Sequence, residues 1–222
     1  MKKVTVPLAG SLLLAAIGAL GPIAPYAWAD DAGDHLSHHT HMMKTVDPHA
    51  RHQHMMTDET KHSMEHYILP QVRLVRDDGK IVSLTEELND GRPVIMNFIF
   101  TSCTAVCPLT NRIFSLFQDR LGSERDKVHM VSISIDPEQD TPPVLKKYAS
   151  KYGAGPEWHF YTGTAAASIA AQQAFDVYRG DRMNHTPVTL LRAAPGQPWL
   201  RIDGFASADD LLHDYRDLIA FK

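Results

Sequence analysis

The sequence predicts an α/β fold in which a mixed sheet is flanked by helices on both faces and preceded by an N-terminal hairpin. Three observations carry this. VIMNFIF (Val94 to Phe100) and VHMVSISI (Val128 to Ile135) are nearly continuous apolar runs, the pattern of strands covered on both faces. Amphipathic segments alternate with the strands, and Gly or Pro punctuates each junction.

In chain order, QVRLV and KIVSL about Asp77-Asp78-Gly79 form the hairpin, Gln71 to Leu84. Thr85 to Asp90 is expected as a short acidic turn before the first interior strand. Pro108 is expected to open a helix, LTNRIFSLFQDRL, with Leu109, Ile113, Leu116, Phe117 and Leu121 inward and Gly122 ending it. After the second interior strand, Asp136-Pro137 stops the run. Thr141 then caps a helix that has Pro142 at its first position and ends at Gly153. Trp158 to Tyr161 is a short strand and Ala165 to Phe175 a helix. VTLL and WLRI form two further strands about Ala194-Pro195-Gly196. Ser207 and Asp210 make a capping box for a last helix, Ala208 to Phe221.

The first 29 residues have the layout of an export signal: Lys2 and Lys3, an apolar run, and Ala27-Trp28-Ala29 before Asp30. Cleavage there implies a periplasmic protein with no membrane span; an uncleaved inner-membrane anchor is the alternative. Without the two leader lysines, the formal charge falls from −4 to −6. No basic stripe remains, which argues against nucleic acid as a partner.

Residues 30–66 hold nine His (35, 38, 39, 41, 49, 52, 54, 62 and 66) and five Met (42, 43, 55, 56 and 64), with no periodic apolar face. Such a segment is expected as a flexible tail. Imidazole suits zinc, nickel or copper, and thioethers shift the preference toward copper. The folded domain is then expected over 67–222.

Cys103 and Cys107 are the only cysteines. In an exported chain a structural disulfide is the ordinary reading, but a loop of this size removes little unfolded-state entropy. The pair lies beyond the carboxyl end of an interior strand, where such folds bind ligands. Cys107 stands immediately before Pro108, so a helix start is expected to lower its pKa. C-x-x-x-C can close a disulfide or bring two thiolates to one metal ion, which leaves a third ligand to be found. Four histidines lie in the domain. His129 and His159 are expected as core or rim residues and His213 as solvated. His185 lies in the loop leading into VTLL and is the expected third ligand by position.

The motifs N-F-I-F-T-S-C-T-A-V-C-P and S-I-D-P-E-Q-D-T-P (Ser134 to Pro142), with His185 before an apolar strand, resemble those of the Sco/SenC family over about Tyr67 to Lys222. The resemblance implies a thioredoxin-like fold, copper bound by Cys103, Cys107 and His185, and a role in assembling the copper centre of cytochrome c oxidase. The implied partner is a copper-acceptor protein, either an oxidase subunit or another periplasmic copper chaperone. Asp136 matches an aspartate of the family; a supporting or docking role and a plain Asp-Pro turn are both open. Thr104 stands where family members commonly have Pro. Thr186-Pro187 suggests the cis-proline loop of thioredoxins, which raises a thiol-disulfide oxidoreductase with Cys103 and Cys107 as its redox pair, beside or instead of copper delivery. A peroxidase of the peroxiredoxin type, and a scaffold whose tail sequesters metal, are weaker readings.

Overall fold

The computed structural model describes residues 60–220. The leader and most of the expected tail lie outside that span. Eight strands form one sheet: β1 (Lys61–Glu65), β2 (Arg73–Arg76), β3 (Ile81–Ser83), β4 (Val94–Ile99), β5 (His129–Ser134), β6 (Trp158–Thr162), β7 (Val188–Arg192) and β8 (Trp199–Asp203). Their order is β1-β8-β7-β4-β5-β6-β2-β3, with β4, β5 and β6 parallel and the other pairings antiparallel. This is the mixed, thioredoxin-like sheet with an early hairpin that the sequence predicts.

Five helices cover it: α1 (Leu84–Leu88), α2 (Val106–Leu121), α3 (Pro142–Lys151), α4 (Ala165–Ala174) and α5 (Ala208–Ala220). The steps from β4 to β5 to β6 run in one direction along the sheet, so their crossover helices α2 and α3 share a face. Phe114, Phe117, Leu145, Tyr148 and, from α5, Leu211 and Tyr215 pack there on Ile95, Ile99, Met130 and Trp158. The chain then returns to the far side of β4, and α4 covers the other face with α1, placing Phe175, Ala171, Leu84 and Leu88 on Met96, Phe98, Val131 and Trp199. Every residue of β4 and β5 is buried. Alternate residues feed alternate cores, which is why these two runs are mostly apolar, with the buried polar exceptions Asn97, His129, Ser132 and Ser134.

The capping box is formed: Ser207 Oγ accepts from Asp210 N–H at 3.1 Å, and the Asp210 carboxylate accepts from Ser207 N–H at 3.2 Å. Thr141 and Pro142 occupy their expected positions, although Thr141 makes no side-chain cap bond. Gly122 ends α2 at φ 55°, a conformation that a side chain rarely adopts.

Three expectations need correction. Lys61–Glu65, inside the segment expected as a tail, is an edge strand pairing with β8 from Lys61↔Asp203 to Glu65↔Trp199. Its signal was missing because KHSME has no apolar alternation; the unpaired edge of β8 makes it a strand. His62, counted among the tail's metal donors, instead reaches Asp214 on α5 at 3.2 Å. The expected acidic turn begins as helix α1, N-capped by Ser83 Oγ, because Leu84 and Leu88 lie on one side and bury together. Finally, α2 starts at Val106, so Cys107 and Pro108 belong to its first turn.

Candidate metal centre

The end of β4 delivers the cysteine loop. Thr101 donates its backbone N–H to the Asp140 carboxylate at 3.2 Å and its hydroxyl to the same group; Ser134, the last residue of β5, donates its hydroxyl at 2.6 Å. Asp140 has no solvent exposure. One buried carboxylate therefore ties the start of the cysteine loop to the end of the neighbouring strand. Burial raises its pKa, against which the Ser134 and Thr101 hydrogen bonds pull down. Asp140 lies within the S-I-D-P-E-Q-D-T-P motif, yet a turn acid is ordinarily solvated. Three hydroxyl-rich positions, Thr101, Ser134 and Thr141, around a strand-end acid were the available signal.

Cys103 and Cys107 are both free thiols. Cys103 is partly buried and Cys107 is 1% exposed beneath it. No side chain caps α2 at Ala105. The Cys103 sulfur accepts from Cys107 N–H at 3.4 Å instead. Burial raises the Cys103 pKa, but hydrogen bonds from the backbone of Cys107, Ala105 and Val106 outweigh it, and the net shift is downward. Cys107 goes the other way: burial pushes its thiol up to about 12, and the neighbouring Cys103 adds to the rise. The expectation that Cys107 carries the lowered pKa is thus corrected. The helix terminus acts on the sulfur it points toward, which is that of Cys103, whereas Cys107 sits within the first turn with its side chain in the core.

The pairing Asn97↔Thr189 sets β7 antiparallel to β4, so residues just before β7 lie beside the end of β4. His185 arrives there, its Nε2 3.0 Å from Phe98 O. A carbonyl only accepts, so Nε2 carries the proton and Nδ1 carries the lone pair. Burial lowers the His185 pKa, offset in part by the Phe98 carbonyl, and keeps the ring neutral, as a ligand must be. Cys103 and His185 line one cavity of about 150 Å³ with Phe100, Ser102, Arg182 and Met183. Cys107 lies beneath rather than on that wall. Among the described residues, no three His, Cys, Asp or Glu side chains are already drawn together as a metal cage. A shared ion requires the donors to converge, and Cys103 and His185 already face the same cavity.

The remaining histidines do not join the site. His129 is buried, with its ring between Glu87 O at 3.0 Å and Tyr161 Oη at 3.1 Å. His159 sits at the rim, 3.7 Å from Asp77, and His213 is exposed on α5. Asp136 forms the turn and also pairs with the segment before His185. Its carbonyl accepts from Gln139 and Asp140 N–H in a turn, and its buried carboxylate accepts from Arg182 Nη1 at 2.9 Å. The Thr186–Pro187 bond is trans, like every peptide bond among the described residues. The expected cis-proline loop is absent; trans is the default for X-Pro, and the extended backbone at His185 continues directly into β7.

Residues 60–220 match the SCO1/SenC family. The chain belongs to that family. A SCO1 protein homolog of Bacillus subtilis is 39% identical over 93 residues, covering 41% of this chain and 47% of the relative. The chain thus spans about half the length of that curated relative. Among solved structures, ScoI of Bradyrhizobium japonicum with copper bound is 26% identical, covers 68% of this chain and 99% of its own, and has a TM-score of 0.58. BsSco, a Sco-family cytochrome c oxidase assembly protein with an identified disulfide switch, is 27% identical over 72% of this chain and 98% of its own, with a TM-score of 0.59. No helix of the described residues is long and apolar enough to cross a membrane.

Proposed function

We propose that this SCO1/SenC-family protein is a periplasmic copper metallochaperone that carries copper on Cys103, Cys107 and His185 and delivers it during assembly of the copper centre of cytochrome c oxidase. The observation that carries the reading is the cavity shared by Cys103 and His185 directly above a second free thiol. Two sulfurs and a neutral imidazole form a soft donor set that suits copper and does not suit magnesium or calcium. The relative solved with copper bound and the relative described as an oxidase assembly protein support the same cargo and recipient.

Copper would be held by Cys103 Sγ, Cys107 Sγ and the Nδ1 of His185, the ring atom left with a lone pair. Binding releases the thiol protons, and Cys107 gives up its own only against the ion's charge. The ion would therefore be taken first by Cys103 and locked by Cys107. The test is transfer. Reduced, copper(I)-loaded protein is mixed with a soluble oxidase copper domain, and the two are separated by ion exchange. Copper in the acceptor fraction is the expected result; copper remaining on the donor at equilibrium contradicts delivery.

A second reading, thiol-disulfide exchange, is favoured by the split between an accessible, acidified Cys103 and a buried, protonated Cys107. The Cys103 thiolate would attack a partner's disulfide, forming a mixed disulfide and expelling one partner thiolate. Cys107, losing its proton, would then attack Cys103 Sγ and release the second. The partner gains two electrons and the protein ends as the Cys103–Cys107 disulfide. With Pro187 trans, this reading rests on the thiols alone. Equilibration with glutathione tests it, since a reversible two-electron transition between about −120 and −270 mV is expected, and a dithiol unchanged across that range excludes it.

A further inference from the structure

Met183 is an apolar side chain in a place where packing does not explain it. It is 74% exposed. Of the large exposed apolar residues among the described part of the chain, it is the one that borders the cavity of Cys103 and His185. Its backbone is fixed nonetheless. Asp181 Oδ1 accepts from Met183 N–H at 2.9 Å, Asp181 O accepts from Asn184 N–H at 3.0 Å, and Arg182 O accepts from His185 N–H at 3.1 Å. On the other side, Arg182 is anchored to the buried Asp136 at 2.9 Å. A capped and tethered turn therefore presents a thioether two residues before the imidazole, at the mouth of the same cavity.

We propose that Met183 Sδ is a further copper(I) ligand, at the entrance of the site, adding to the donors Cys103, Cys107 and His185. The inference rests on the copper reading above. The chemistry is that of a soft, uncharged sulfur, which selects Cu(I) over Cu(II). The three rotatable bonds of methionine let Sδ swing between solvent and cavity while the turn stays in place. Cys107, beneath the cavity wall, cannot meet an incoming ion first. Met183 and Cys103 can, and exposure of the thioether also leaves it able to remain on the ion as an acceptor's ligands replace the inner donors.

Met183→Leu removes the sulfur and keeps the size, at an exposed position where the fold does not depend on it. Purified wild type, Met183→Leu and Cys103→Ser, each retaining the N-terminal segment, are titrated with Cu(I) against a chromophoric Cu(I) chelator and with Cu(II) against a second chelator. The N-terminal histidines and methionines are common to all three and cancel. Met183→Leu is expected to lose about tenfold in Cu(I) affinity with Cu(II) affinity unchanged, which lowers the potential of the bound copper couple by about 59 mV. In protein labelled with methyl-13C methionine, the resonance absent from Met183→Leu should shift on the first equivalent of Cu(I). Equal loss of both oxidation states would make Met183 a mere cover and overturn the proposal. Unchanged Cu(I) affinity in Met183→Leu, with loss in Cys103→Ser, would also overturn it and leave the copper reading standing. Wild-type protein without a chelator-resistant Cu(I) site would overturn both.

Discussion

Cys103 and Cys107 differ by one turn of chain and by whether the sulfur faces the free N–H groups of the helix start or the core. Cys103 accepts hydrogen bonds from the start of α2, whereas Cys107 is enclosed with Asn111 and Tyr148, whose contact at 3.0 Å closes the core around it. Alkylation by iodoacetamide should accordingly modify Cys103 first, with a midpoint on the pH axis below that of a free thiol, while Cys107 stays protected until the protein unfolds. Peptide mass mapping across pH 6 to 9, roughly the range where a free thiol of pKa about 8.5 changes state, checks the order. Faster labelling of Cys107 would contradict the assignment. A second titration concerns His185 and His129, both lowered first by burial. As pH falls through about 6.5, the unfolded chain takes up protons before the folded one. Their contribution to stability is therefore complete above that pH and is lost below it. Urea midpoints should decline as pH drops from 7 toward the folded-state values, and His185→Gln should reduce the slope. The sequence pointed to both thiols and to His185, since their types and order along the chain are enough. Which thiol is acidified was not legible, because it depends on where the sulfur points relative to the helix axis.

Two devices at the element level hold the site: the Asp140 carboxylate and the Arg182–Asp136 pair. Asp140 accepts from Thr101 N–H, Thr101 hydroxyl and Ser134 hydroxyl. Asp140→Ala strands these donors in a buried position and should cost about 1–3 kcal/mol for the best-buried of them, read from chemical denaturation, with weakened metal binding because the cysteine loop loses its anchor. Full stability in that variant would show the carboxylate to be dispensable. Arg182 is half exposed and Asp136 is not. Breaking the pair with Arg182→Ala should speed amide exchange in the Asp181–His185 turn while the protected amides of β4 and β5 stay as slow as before. Uniform acceleration would mean that the pair supports the whole domain. Neither device could be found by periodicity, because each joins segments about 40 residues apart through single polar atoms.

For the molecule as a whole, the central strands and most helices were legible because they bury on one or both faces and must be apolar to do so. The exceptions are instructive: β1 is half exposed and polar, and its conformation is dictated by the edge of β8. A chain truncated to begin at Tyr67 would lose β1, bare the β8 edge and free Asp214 from His62. It should be less stable and more prone to associate than one beginning at Thr60, a difference visible in thermal melts and light scattering. Equal behaviour of the two would show β1 to be an ornament of the edge. The fold brings a thiol pair at the end of β4 beside an imidazole delivered by the antiparallel neighbour β7. The central claim is that this constellation holds copper. Native mass spectrometry under anaerobic copper(I) with a competing chelator, comparing wild type with Cys103→Ser/Cys107→Ser and with His185→Ala, tests it most directly. The account predicts one chelator-resistant copper ion per chain in the wild type, none in the double cysteine variant, and a weaker one in His185→Ala; the same resistant copper ion in the double variant would contradict it.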